Sequence, residues 1–318
     1  MMNDVPAIEA MGLTKTYGSF TAISNITLRV RRGEYMGLLG PNGAGKSTTL
    51  KVITGLIMPT SGTVMIDGVD IKDHRRAMAH VGCVIETPEP YPLWTPAEIL
   101  EYVGRIYGLD SREIAIRSRD VLEIMKMWDW RNKPVGGFSK GMRQRAVLAQ
   151  ALLPNPSTII LDEPTSGLDP RGMIEVREAL GSLRAKDRSL LISTHMLKEV
   201  SELCGSVAMI RDGRMITSGR VSDLVNGVGS GRQIHLEIKS RRPFTPEIVG
   251  DIGGMAGVRG VRRTGDCSIV VDFSGTNDEQ EHIVDVVYAS GLGITAVNES
   301  GADLESLYMN LTDGGDVR

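Results

Sequence analysis

The sequence predicts an α/β chain in two parts: a mainly parallel sheet flanked by helices, then a small α+β domain of βαββαβ order. Three observations lead there. Short apolar, β-branched runs alternate with stretches of helical spacing, as at Thr158 to Leu161, Leu190 to Ser193 and Val207 to Ile210. One apolar run, Tyr35 to Leu39, passes directly into Gly40-Pro41-Asn42-Gly43-Ala44-Gly45 and then into a helix-like segment. Beyond Asn226-Gly227-Val228-Gly229-Ser230-Gly231, the clearest linker in the chain, the pattern starts afresh.

Taken in order, Ile8 to Tyr17, Ile26 to Val30 and Tyr35 to Leu39 read as strands, and the turn Arg31-Arg32-Gly33 suits antiparallel pairing among them. The helix after the glycine-rich turn runs through Leu50, Val52 and Ile53 and stops near Gly55. Thr63 to Asp67 and Val81 to Ile85 are two further strands. From Pro96 to about Pro154 the chain is mostly helical. Ile99, Leu100, Val103 and Ile106 share one face there, and Ile114 to Met127 and Met142 to Leu153 supply two more helices. Thr158 to Leu161 is short and apolar throughout, as a buried parallel strand should be. After the linker come strand Gln233 to Lys239, helix Pro246 to Met255, strands Val258 to Arg263 and Ser268 to Phe273, helix Asp278 to Ala289 and strand Gly293 to Val297. That order is ferredoxin-like. An amphipathic helix, about Asp303 to Leu311, closes the chain. The expected division is residues 1–225 with a helical subdomain at about 96–154, a linker at 226–232, and an accessory domain at 233–318.

Composition narrows the function. A formal net charge of -3 and a pI near 6.0 oppose a nucleic-acid binder, which would carry a basic excess. Cys83, Cys204 and Cys267 are odd in number and widely spaced, so they give no disulfide framework and no zinc site, and a reducing cytosol suits them. The first ten residues lack a basic stretch followed by an apolar run, so no signal peptide is expected. No run of about 18 apolar residues without a charge occurs, so nothing is expected to span a bilayer.

Gly40 to Ser47 reads G-P-N-G-A-G-K-S, the phosphate-loop pattern. Glycines there let successive backbone N–H groups turn onto phosphates without a Cβ clash. Lys46 supplies a point charge to the β- and γ-phosphates and Ser47 a hydroxyl for Mg²⁺. The helix that follows aims its positive end at the same anions. Ile159-Ile160-Leu161-Asp162-Glu163 is the second element: an apolar strand ends in Asp162, suited to hold Mg²⁺, and Glu163, placed to polarise the attacking water.

With these motifs in place, the chain from about Ile8 to Leu224 resembles the ABC transporter ATPases, a P-loop NTPase fold with a helical subdomain. The family's signature, usually Leu-Ser-Gly-Gly-Gln, stands here as Phe138-Ser139-Lys140-Gly141-Met142. The resemblance implies that Ser139 and Gly141 cap a helix whose end grips the γ-phosphate bound by a second, opposing subunit. The Ser-Lys-Gly-Met variant is similar to exporter-like branches. The resemblance also places Tyr17 against adenine, makes Ser166-Gly167-Leu168-Asp169 the loop by which paired subunits sense each other, and puts His195 on the γ-phosphate. The ATP contacts it implies are thus Tyr17, the stretch Gly40, Pro41, Asn42, Gly43, Ala44, Gly45, Lys46, Ser47 and Thr48, and Ser139, Gly141 and Asp169. Glu163, His195 and Glu86 are the implied catalytic set, and Ser47, Asp162 and Glu86 the implied metal set. Glu86 is a departure, because the family has glutamine there. A carboxylate keeps the acceptor oxygen but adds charge beside Asp162 and Glu163, which implies either tighter Mg²⁺ binding or a raised pKa.

The resemblance implies a cytoplasmic ATPase, peripheral on the inner face of the cell membrane. It would pair as a homodimer or with a second ATPase subunit, and drive an integral membrane permease. The alternative is a soluble ATPase of the same fold acting on DNA or ribosomes. The roughly 90 residues between phosphate loop and signature leave no room for a long coiled coil, and the chain holds one cassette and not two. Tyr91-Pro92-Leu93-Trp94 reads equally as local packing or as a docking patch. The accessory domain, with its closing Leu304-Glu305-Ser306-Leu307-Tyr308, suits ligand sensing, partner contact or dimer bracing.

Overall fold

The computed structural model describes residues 5–86, 91–186, 188–226, 233–301 and 308. The chain divides into two compact units, Met1–Gly219 and Arg220–Arg318.

The first unit opens with β1 (Ile8–Tyr17) and β2 (Phe20–Val30), an antiparallel pair. Next, β3 (Tyr35–Leu39) is buried at every residue. It is followed by α1 (Lys46–Ile53), β4 (Ser61–Ile66), β5 (Val69–Asp70), the single-turn α2 (His74–Ala77) and β6 (Val81–Val84). The helical segment holds α3 (Pro96–Ile106), α4 (Ser111–Ile124) and α5 (Lys140–Leu152). Thr95 and Asp110 start the first two of these with reciprocal capping boxes. The unit ends with β7 (Thr158–Asp162), α6 (Pro170–Ser182), β8 (Ser189–Thr194), α7 (Leu197–Leu203), β9 (Ser206–Arg211) and β10 (Arg214–Arg220).

Two sheets result, in the orders β2-β1-β4-β5 and β10-β9-β3-β8-β7-β6. Tyr35 to Leu39 was expected beside the first two strands. Instead β3 crosses to the second sheet and lies parallel between β8 and β9. An all-apolar strand needs cover on both faces, which only the centre of a parallel sheet provides. β2 also begins at Phe20, six residues before the expected Ile26, because its first half, mixed in polarity and largely exposed, pairs with β1 at the edge of the sheet. The core joins both sheets to α1 through Leu28, Leu38, Leu50, Ile53, Ile160 and Leu191, all at most 1% exposed.

The second unit contains α8 (Val221–Asn226), β11 (Gln233–Ser240), α9 (Pro246–Gly253), β12 (Val258–Gly265), β13 (Ser268–Ser274), α10 (Asn277–Ala289) and β14 (Ile294–Gly301). Its sheet has the order β12-β13-β11-β14, and every strand pairs antiparallel with its neighbours. The expected βαββαβ order is the one observed. Ile234, Leu236 and Ile238 alternate inward and meet Phe244, Ile252, Ile283 and Val287 in a separate core. Of the linker expected at 226–232, only Asn226, the last residue of α8, lies among the described residues, and of the closing helix only Tyr308.

Candidate active site

In the parallel sheet β3, β7 and β8 run in register, so their carboxyl ends share one edge. The chain leaves that edge at Gly40, Glu163 and His195. Gly40 has no alternative there, because a Cβ would lie 2.3 Å from the Ile210 carbonyl oxygen. Gly43 and Gly45 take left-handed backbone (φ +81 and +98) and turn the loop into α1. Lys46 is the first residue of that helix and only 4% exposed. Its Nζ donates to the carbonyls of Gly40 (2.9 Å) and Pro41 (3.1 Å), which folds the loop around its own ammonium.

Glu163 meets that ammonium: Lys46 Nζ lies 3.2 Å from Glu163 Oε1, and His195 Nδ1 lies 3.5 Å from Oε2. The backbone of Glu163 is left-handed (φ 43), a costly conformation for a residue with a side chain, and is tied to two acceptors of Ser193. Its N–H donates to the Ser193 carbonyl (3.1 Å) and hydroxyl (3.0 Å). Burial alone would push the Glu163 carboxyl up, but the hydrogen bond and charge of Lys46, with His195 and Ser166, hold it below the usual glutamate value.

Asp162 is 7% exposed and accepts a hydrogen bond from the Ser193 hydroxyl, yet no Lys, Arg or His pairs with it among the described residues. A buried carboxylate without a cation is an oxygen donor that fits Mg²⁺, and Ser47, the second residue of α1, offers the hydroxyl that the phosphate-loop pattern assigns to the same ion. No group of three His, Cys, Asp or Glu side chains able to hold a metal occurs among the described residues. A metal taking one or two protein oxygens and the rest from phosphates and water needs none. Ser193 was not anticipated from the sequence. Its signal was a hydroxyl at the end of an otherwise apolar strand, two residues before His195.

Glu86 is placed differently from the expectation. Its backbone, two residues past β6 and left-handed (φ 57), stands at the edge next to β7, since Val84 pairs with Leu161. Its carboxylate, however, turns away to pair with Lys51 on α1 and is 69% exposed. The cation four residues from Ser47 along the helix captures the charge that was expected beside Asp162 and Glu163.

A second group gathers at the starts of α5 and α6. Ser139 caps α5, its hydroxyl accepting from the Met142 N–H at 3.2 Å, and Asp169 caps α6 by accepting from the Gly172 N–H at 3.3 Å. The two helix starts touch through glycine, a Cβ on Gly141 falling 3.6 Å from the Gly172 Cα. Asp169 is therefore engaged as a cap. Lys140 lies over Gly167, whose missing Cβ leaves room for the ammonium. Tyr17, at the end of β1, keeps 49% of its surface exposed under the Lys15 ammonium, 5.1 Å from the ring centroid. In the aromatic segment, Trp94 packs on Tyr91 and Tyr102 at 5.5 Å, while Tyr91 and Leu93 remain 70% and 85% exposed. No helix among the described residues is long and apolar enough to cross a membrane.

Comparison with known proteins matches residues 23–166 to the family described as ABC transporter. The chain is 37% identical over 225 residues to the Nod factor export ATP-binding protein I of Ralstonia nicotianae, covering 70% of each chain. It is 30% identical to the linearmycin resistance ATP-binding protein LnrL of Bacillus subtilis over 308 residues, covering 96% of this chain and 98% of that one. Among solved structures, an ATP-binding subunit of an ABC transporter superposes with a TM-score of 0.63 at 32% identity, covering 70% of this chain and 92% of that one. A dimeric ATP-binding cassette in a post-hydrolysis state with ADP and Pi gives a TM-score of 0.60 at 25% identity, covering 67% and 98%.

Proposed function

Because the chain belongs to the ABC transporter family, as an ATP-binding and ATP-hydrolysing subunit, we propose that two copies close around two ATP molecules, hydrolyse them and reopen to drive a separate membrane permease. The observation that carries this reading is the contact of Lys46, Glu163 and His195 at one edge of the parallel sheet. An ammonium buried in a glycine loop receives phosphate charge, and a carboxylate beside it takes a proton from water.

Lys46 pairs with Glu163. Phosphate oxygens entering the loop compete for that ammonium. Glu163 then loses the partner that lowers its pKa and becomes a stronger base when there is something to hydrolyse. His195, 3.5 Å from the other carboxylate oxygen, would orient Glu163 and reach the terminal phosphate. Ser47 and Asp162 would hold Mg²⁺, which supplies positive charge against the phosphates. Ser139 and Gly141 would meet the nucleotide carried by the second copy, and Tyr17 the adenine of the nucleotide in its own phosphate loop. Glu86 acts through Lys51 on α1.

Export is the proposed direction, supported by relatives named for Nod factor export and linearmycin resistance. The protein would then work at the inner face of the cell membrane, with Tyr91 and Leu93 available to the permease. ATP hydrolysis by purified Glu163→Gln and Lys46→Ala chains tests the core of the reading. Glu163→Gln should bind ATP at least as tightly as the wild type, since the carboxylate competing for Lys46 is gone. Its turnover should fall by about 10²-fold or more. Lys46→Ala should weaken ATP binding itself. Turnover of Glu163→Gln within a few-fold of wild type would remove Glu163 as the base.

A further inference from the structure

A cavity of about 170 Å³ opens between α4, the end of α5 and Arg188, the residue that precedes β8. Arg188 is 7% exposed, and arginine keeps its charge under all ordinary conditions. One terminal nitrogen, Nη2, donates to Asn155 Oδ1 at 2.6 Å, while Nη1 is buried with no partner. Among the described residues the one electrostatic partner of the guanidinium is the phenol of Tyr35, which burial pushes up to about 12 and so keeps neutral. No carboxylate pairs with it among the described residues. Burying an ion without its counter-ion is strongly unfavourable, so this guanidinium is suited to a negative charge that none of the described residues supplies in direct contact with it.

The walls define the ligand further. Arg117 also lines the cavity, but it is already neutralised by Glu113 at 3.0 Å and donates to the Pro154 carbonyl at 3.1 Å. Val121, Ile124 and Leu152 make an apolar wall. Asp120 stands exposed in the lining and repels a dianion more strongly than a monoanion. We propose that this cavity binds a small monocarboxylate with an apolar body, its carboxylate neutralising Arg188 and its hydrocarbon resting on the apolar wall. The volume is of the order that admits a benzene-sized group. Asn155 and Arg188 precede β7 and β8, whose far ends carry Asp162 and lead to His195. The five residues of β7 set the two sites about 17 Å apart. The proposal is therefore independent of the nucleotide reading.

Thermal unfolding of the full chain, with sodium butyrate as probe up to about 20 mM, tests it. Controls are sodium chloride at equal ionic strength, the neutral isostere butyramide, and the dianion succinate. Butyrate should raise Tm saturably by about 2 °C, with succinate giving less than half of that and the other two nothing. Arg188→Met removes the charge, and Ile124→Trp fills the cavity while keeping the charge. Each should abolish the butyrate shift. If Arg188→Met does not fold, Ile124→Trp decides alone. Absence of a saturable butyrate shift in the wild type, an equal shift with butyramide or succinate, or a shift that survives in Ile124→Trp would overturn the proposal.

Discussion

Glu163 and Glu199 both feel the charge of His195, yet the fold moves their pKa values in opposite directions. Glu199, 1% exposed, is pushed up by burial against the opposing pull of Thr194, Thr165, Arg177 and His195. A carboxyl whose folded pKa lies above its unfolded value of 4.5 leaves the unfolded chain to ionise first as pH rises. Its contribution to stability is therefore full at low pH and shrinks as pH passes from 4.5 through the folded value. Glu199→Gln keeps the acceptor for Thr165, 2.9 Å away, and removes the buried charge. It should melt about 2–4 °C above wild type at pH 8, and the difference should vanish near pH 4 when Tm is followed against pH. Glu163, held below the ordinary value, contributes stability that is present at neutral pH and lost as pH falls through its folded pKa. Glu86 is exposed and paired with Lys51, so Glu86→Gln should change Tm by no more than about 1 °C. Its effect should appear in the Mg²⁺ and pH dependence of ATP turnover, and identical profiles would make the residue an idle variant.

At the scale of elements, the loop between β3 and α1 uses glycine for two reasons that a single substitution separates. A Cβ at Gly40 would strike the backbone of β9, 2.3 Å from the Ile210 carbonyl oxygen, and a backbone atom cannot step aside. A Cβ at Gly43 meets nothing within 4 Å, but its φ of +81 strains any other residue. Gly43→Ala should cost about 1 kcal/mol and leave ATP binding measurable. Gly40→Ala should cost about 2–3 kcal/mol and abolish ATP binding, because the loop must leave its strand to accommodate the methyl. Denaturant unfolding and nucleotide titration of both variants check the order. The same element shows how the fold builds a charged site cheaply: the buried Lys46 ammonium donates to two carbonyls of its own loop and pairs with Glu163.

At the scale of the whole molecule, the phosphate-loop group and the signature group are distinct clusters on the first unit, one around Lys46 and one around Ser139 and Asp169. The proposed pairing makes each site composite, the loop of one copy facing the signature of the other. A Ser139→Arg chain and a Lys46→Ala chain should each be nearly inactive alone. Their mixture should regain about a quarter to a half of wild-type ATP turnover per dimer, through the one intact site of a mixed pair. The measurement is turnover against mixing ratio with dimer content followed in parallel. A mixture that dimerises yet never exceeds its parents would exclude the shared site. The second unit has its own core around Leu236, Phe244 and Val287, and it carries none of the residues assigned to nucleotide.

The sequence by itself determined the residues whose spacing is local. The phosphate loop, the Asp162–Glu163 pair after an apolar run and the six-element order of the second unit depend on neighbours a few positions apart, and all are found where the pattern puts them. β10 was missed because it is a largely polar edge strand, although Asp212-Gly213, both left-handed, marked its hairpin turn. What only the tertiary structure decided depends on residues distant in sequence. Pairing preference could not say that β3 leaves β2 for β8, some 150 positions away, because that choice follows from the need to cover both faces of an apolar strand. The pull of Lys51 on Glu86, the hydroxyl of Ser193 on Asp162, and the buried charge of Arg188 are likewise products of packing. Charges and hydroxyls select partners by distance in space, which the one-dimensional pattern does not contain.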